Sequence, residues 1–134
     1  MSVVLVTGGT GAIGSAIAEE FSHTDDVIFT FNSGAEKACA LKEKLCCGCV
    51  RMDISDRASV NAAVAEVLAE YGHIDILVNN AGISQIKLFG DITGDDWARM
   101  MAINLTGCFN VTQEVLKGMI SRKNGAIVNI SSVW

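Results

Sequence analysis

Val3-Val4-Leu5-Val6-Thr7-Gly8-Gly9-Thr10-Gly11-Ala12-Ile13-Gly14 is the stretch on which the fold turns. Four consecutive aliphatic residues read as a strand buried on both faces, and the glycine-rich run after them reads as a turn that opens a helix. Gly9, Gly11 and Gly14 spell G-x-G-x-x-G at that junction. Glycine permits the tight strand-to-helix turn, lets backbone approach a pyrophosphate closely, and lets the helix pack against the strand. The helix start then turns its unpaired N–H groups toward the anion. An isolated match of this kind is weak. The strand before it and the helix after it are the context that gives it weight.

Outward from this turn, apolar runs alternate with stretches of helical periodicity, separated by short clusters of Gly, Asn, Ser or Asp. Strands are predicted over residues 3–6, 27–31, 49–52, 74–78 and 126–130, all five fully buried. Helices are predicted over residues 12–21, 34–45 and 58–71, with a long one from Asp95 to about Ser121. Ser55-Asp56 ahead of the third helix and Thr93 with Asp95 and Asp96 ahead of the fourth supply caps and negative charge where free N–H groups collect. The chain has no proline, so every helix is expected to run unbroken. Continuous apolar strands alternating with helices imply an α/β fold with a doubly wound parallel sheet. The expected strand order is 3-2-1-4-5, with right-handed connections and nucleotide at the switch between the first and fourth strands.

Composition narrows the function. Ten Lys and Arg against fifteen Asp and Glu give a net charge of -5, without the basic surplus that a phosphate backbone demands, so nucleic acid is not an expected partner. No run approaches the roughly 18 apolar residues of a membrane span, and residues 1–5 carry no charged leader, so a cytoplasmic protein is expected. Neither a linker nor a repeat divides residues 1–134, which predicts one domain. The five cysteines are an odd number, which argues against a disulfide framework. Cys46 and Cys49 have C-x-x-C spacing, but no second such pair exists and His23 and His73 lie elsewhere. No metal is expected, and the cysteines read as small apolar residues beside a strand.

Further motifs close the strands: Asp53-Ile54 after the third, Asn79-Asn80-Ala81-Gly82 after the fourth, and Asn129-Ile130-Ser131-Ser132 after the fifth. Asp75 sits in Gly72-His73-Ile74-Asp75, and Asn104 in Ile103-Asn104-Leu105-Thr106-Gly107. Joined to the glycine turn, this combination resembles the short-chain dehydrogenase/reductase family along all 134 residues. Thr7-Gly8-Gly9, residues 27–33 and Ile127-Val128-Asn129-Ile130-Ser131-Ser132-Val133 are most similar to the 3-oxoacyl-[acyl-carrier-protein] reductase type. The resemblance implies an NAD(P)-binding Rossmann domain serving hydride transfer between a nicotinamide and a carbonyl or alcohol.

Carried over by position, the resemblance implies that Gly8, Thr10, Gly11 and Ile13 line the pyrophosphate and ribose, and that Asp53 and Ile54 face the adenine. Asn80, Ala81 and Gly82 would run beside the ribose and nicotinamide. Asn104 would hold a backbone kink and a water for the proton relay, and Ser132 would bond the substrate carbonyl or hydroxyl. One departure is Ala12, where the short-chain pattern usually has Gly. Gly11 and Gly14 match the spacing of the extended, epimerase-like branch instead, and phosphate binding should survive because Ala suits a first helical turn.

Cofactor choice is read at Phe31-Asn32-Ser33, after the second strand. A carboxylate there would bond the ribose hydroxyls and repel a 2′-phosphate; Asn32 and Ser33 offer hydrogen bonds instead, so NADP(H) is favoured over NAD(H). The basic residue that often grips the phosphate from the glycine loop is replaced by Gly11, leaving Lys37 as a possible substitute.

Family members continue past Ser132 to a Tyr and a Lys at helical spacing, whereas this sequence stops at Trp134 and its sole tyrosine, Tyr71, reads as structural. A general acid is worth about 10²- to 10⁴-fold. The expectation is therefore the N-terminal, C-terminally incomplete portion of an NADPH-dependent carbonyl reductase, inactive by itself. The alternative is a nucleotide-binding module or folding fragment without turnover. An open edge at residues 126–130 predicts a homo-oligomer, formed by edge-strand pairing or exchange of elements.

Overall fold

Aliphatic side chains enclose strand β1 (Val3–Val6) on both faces, which is why it reads as an unbroken apolar run. In the computed structural model, which describes residues 1–132, β1 pairs in parallel with β2 (Asp26–Phe31) and with β4 (Ile76–Asn79). Strand β3 (Gly48–Arg51) continues the sheet beyond β2, and β5 (Ala126–Asn129) continues it beyond β4. The order is β3-β2-β1-β4-β5, as the sequence implied.

Alternation along the strands divides the core. Val3 and Leu5 face Ile28, Val50, Leu77 and the buried stripe of α3 (Arg57–Tyr71) and α5 (Cys108–Arg122). Val4 and Val6 face Val27, Phe29, Val78 and the helices α1 (Ala12–Ser22) and α2 (Ala35–Leu45). The remaining helix, α4 (Gly94–Met101), begins with a capping box: Thr93 accepts from the Asp96 N–H while the Asp96 carboxylate accepts from the Thr93 N–H.

Two expectations need correction. Neither edge strand is fully buried: β3 leaves Arg51 exposed and Cys49 half-buried, and β5, with one neighbouring strand, leaves Val128 44% exposed. The apolar sequence of β5 therefore marks an edge, not an enclosed strand. The long helix is not unbroken either, because Ala102–Gly107 forms a π-helical turn between α4 and α5. Such a turn inserts one residue into the helix and needs no proline. Here it lets the buried Gly107 sit against Ile54 with no room for a Cβ, while Asn104 reaches across to Ile83.

At the N-terminal ends of the strands, Asp75 ties three elements together. Its carboxylate accepts from the Val3 N–H at 2.9 Å and from Arg122 Nη1 at 2.8 Å, and His73 Nε2 lies 3.1 Å away. Arg122 also donates to the Ile74 carbonyl at 2.7 Å. Burial pushes the Asp75 carboxyl up, but the Val3 N–H, Arg122 and His73 outweigh it and hold the group below its ordinary value.

Candidate functional site

Parallel pairing sends the loops after β1, β2, β3 and β4 out of one end of the sheet, and a cleft of about 540 Å³ opens between them. Behind its wall Thr7 is buried where β1 ends. The Thr7 hydroxyl accepts from the N–H groups of Asn80 and Ala81, each at 3.0 Å, and the Asn80 side chain donates back to the carbonyls of Thr7 and Gly8 at 3.0 and 3.3 Å. Thr30 holds the turn from the other side: its hydroxyl accepts from the Gly8 N–H at 3.3 Å and its carbonyl from Gly9 at 2.9 Å.

The glycines of the turn are demanded by space. Gly8 adopts φ +68°, a left-handed conformation, and a Cβ on it would stand 2.8 Å from the Ala81 Cα. On Gly9 a Cβ would enter the Phe29 ring, and on Gly14 it would collide with the Gly8 carbonyl. Close contact between the first helix and both strands thus depends on missing side chains. The Gly11 cap of α1 makes no side-chain bond and the first turn holds no acidic residue, whereas α3 is capped by Asp56 and α4 by Thr93. The N–H groups of this uncapped turn face the cleft, where an anion suits them.

Gly8, Thr10, Gly11, Ile13, Asn32, Asp53, Ile54, Asn80, Ala81 and Gly82 all lie on the cleft wall, joined by Arg99 and Ile103 from the helical run after β4. The Asp53 carboxylate is held in place by Ser55, accepting from its hydroxyl at 2.6 Å and its N–H at 2.9 Å. These bonds, with lesser help from Asn32 and Arg51, keep its carboxyl below the ordinary range despite some burial. Asn104 and Ser132 are not on the wall. Asn104 stands behind it in the π turn: its Oδ1 accepts from the Ile83 N–H and its Nδ2 donates to the Ile83 carbonyl, both at 2.8 Å. Ser132 is exposed beyond β5, at the same end of the sheet, and Val133 of the closing motif lies outside the described residues. Behind β4, Asn79 donates to Thr112 and Asn129, each at 2.9 Å, locking β4, β5 and α5 together.

Sequence reasoning missed Thr7, Thr30 and Arg51. Thr7 carried one signal, a hydroxyl closing an aliphatic run; Thr30, between Phe29 and Phe31, and Arg51 carried none, because their roles depend on the pairing of β2 with β1 and β3. Tyr71 is remote from the cleft, its hydroxyl lying against Gly48 at the start of β3. Cys46, Cys47 and Cys49 line a separate hollow there, where burial raises the thiols of Cys47 and Cys49. Among the described residues, no group of three or more His, Cys, Asp or Glu side chains is arranged to hold a metal, and no helix is long and apolar enough to cross a membrane.

Comparison with known proteins places these features. The chain is 41% identical over 137 aligned residues to a 3-oxoacyl-[acyl-carrier-protein] reductase of Aquifex aeolicus, covering 98% of this chain and 55% of the relative. It is 42% identical to a D-threitol dehydrogenase of Mycolicibacterium smegmatis, covering 97% and 52%, and 38% identical to an acetoacetyl-CoA reductase of Shinella zoogloeoides, covering 98% and 55%. The chain therefore spans about half the length of the curated relatives it matches. Among solved structures, a short-chain dehydrogenase from Streptomyces avermitilis superimposes with a TM-score of 0.91 at 34% identity, covering 98% of this chain and 49% of that one. A serine dehydrogenase from Escherichia coli gives 0.89 at 35%, covering 97% and 62%. The short chain dehydrogenase profile matches residues 2–134, and with the glycine turn, the strand order and the cleft it shows that this chain belongs to that family.

Proposed function

We propose that this chain is the cofactor-holding half of an NADP(H)-dependent carbonyl reductase whose substrates resemble 3-oxoacyl thioesters. The observation that carries the reading is the bare N-terminus of α1, opening into the cleft beside Gly8 and Gly14, where a Cβ would collide with neighbouring backbone. A dinucleotide's pyrophosphate supplies the negative charge that this turn lacks. When bound, the nicotinamide accepts or donates hydride. Of this chain's residues, Gly8, Thr10, Gly11 and Ile13 would hold the pyrophosphate and ribose. Asp53 and Ile54 would face the adenine, and Asn80, Ala81 and Gly82 would flank the nicotinamide ribose. Asn104 would fix the backbone at Ile83 and order a water, and Ser132 would orient the carbonyl.

Titration of the chain with NADPH and NADH by calorimetry is expected to give micromolar or weaker binding for both, tighter for NADPH. No heat with either at millimolar concentration would refute the reading. NADPH oxidation with an acetoacetyl thioester should stay at background, because within these 134 residues the single tyrosine sits at the far end of β3.

The same reading includes self-association. Along the outer face of α4, the π turn and α5, Trp97, Leu105, Phe109 and Ile120 are each more than half exposed, and β5 presents an open edge. Apolar surface of this extent and an unpaired strand edge favour contact with another copy. Light scattering coupled to size-exclusion chromatography should therefore give a mass above the 14.2 kDa of one chain. A constant monomer mass at high concentration would rule this out.

A further inference from the structure

We infer that Arg51, at the end of β3, grips the 2′-phosphate of the cofactor and so sets the preference for NADP(H). The inference rests on the reading of the cleft as a dinucleotide site and adds a residue to it. Arg51 is directly opposite Phe31 in the parallel register, so its backbone flanks the Asn32-Ser33 turn where β2 ends. Alternation fixes its side: Cys49 packs into the core beneath α1 and α2 and Val50 into the opposite one, which puts Arg51 on the side of α2. Its Nε donates to the Asn32 carbonyl at 3.1 Å, and the residue is otherwise exposed. Among the described residues no carboxylate forms an ion pair with it.

That arrangement suits a phosphate. Anchoring through Nε leaves the end-on edge formed by the two Nη groups for a ligand, and that edge of the planar fork can bind phosphate oxygens bidentately. Asn32 and Ser33, on the cleft wall, bring polar side chains to the same spot and no acid. The Asp53 carboxylate reaches the same spot through the Asn32 side chain, but it is engaged by the Ser55 hydroxyl and N–H, and Arg51 offsets its charge. Lys37, exposed in the first turn of α2, is a rival cation, but among the described residues no hydrogen bond or ion pair holds it at the end of β2.

Calorimetric titration of the wild-type chain, Arg51→Ala and Lys37→Ala with NADPH, NADH, adenosine 2′,5′-bisphosphate and 5′-AMP tests this, with thermal melts confirming that each variant is folded. Arg51→Ala is expected to weaken NADPH and the bisphosphate by roughly 10- to 30-fold while leaving NADH and 5′-AMP within about two-fold, and raised salt should shrink the difference. Lys37→Ala should cost less than Arg51→Ala. Equal losses for phosphorylated and unphosphorylated ligands, no loss, or discrimination that vanishes with Lys37 alone would each overturn the role of Arg51. A wild-type chain that binds NADH at least as well as NADPH would overturn it too, leaving the cleft assignment standing. A chain that binds neither dinucleotide would remove both.

Discussion

Gly14→Val is expected to abolish dinucleotide binding, lowering affinity by more than about 100-fold, and to cost about 1–3 kcal/mol of stability as an overpacked site. Gly14 is buried, and a Cβ there meets the Gly8 carbonyl and stands 2.6 Å from the Asn80 Nδ2. Those two groups are bonded to each other at 3.3 Å, so a side chain would be driven between the partners that close the turn. Neither can retreat cheaply: Gly8 is backbone in a left-handed conformation, and Asn80 is also bonded to the Thr7 carbonyl. The loop would have to lift, carrying its N–H groups away from the pyrophosphate. Gly118→Ala is the control, since nothing lies within 4 Å of a Cβ at that position and alanine in place of glycine within α5 should add about 0.5–1 kcal/mol. Calorimetric titration and thermal melts measure both. Gly14→Val binding NADPH within ten-fold of wild type would show that the turn is not the cradle described above.

Phe29→Ala should cost about 3–5 kcal/mol, a large share of the roughly 5–15 kcal/mol that stabilises a domain. The ring is fully enclosed at the centre of the α1–α2 face, among Val4, Val6, Ala18 and Ala38. It also forms the surface on which Gly9 rests. Truncation removes the transfer energy of a large apolar side chain and leaves a cavity beneath the turn, and the turn then loses its support. Urea denaturation should show the midpoint falling steeply, with cofactor affinity reduced in whatever fraction remains folded. A loss below about 1 kcal/mol would mean that the surrounding side chains collapse into the space.

Strands β1, β2 and β4 were legible because both their faces are covered, so nearly every residue is apolar and the runs stand out from the flanking polar clusters. β5 has the same kind of sequence, Ala-Ile-Val-Asn, and composition alone could not distinguish an edge from an interior strand. Caps were equally readable. Asp56 and the Thr93–Asp96 pair do what their spacing implied, because a cap is a local interaction between residues two or three apart. The π turn was hidden for the opposite reason: its cause lies in Ile83 and Ile54, about twenty and fifty residues away, and nothing in Ala-Ile-Asn-Leu-Thr-Gly announces those contacts. In the cleft, each glycine could be read from its motif. Thr7 and Arg51, off the cleft wall, could not be assigned their partners, since Asn80 and Asn32 are reached only through strand pairing.

The Asp75 clamp and the cleft sit at opposite ends of strands only four to six residues long, roughly 13–20 Å at 3.3 Å per residue. Changes in the loops above the sheet do not touch the Asp75–Val3–Arg122 tie, which lies at the other end of the same strands. Over generations such a scaffold can trial new loop sequences while one distant carboxylate keeps the strands in register.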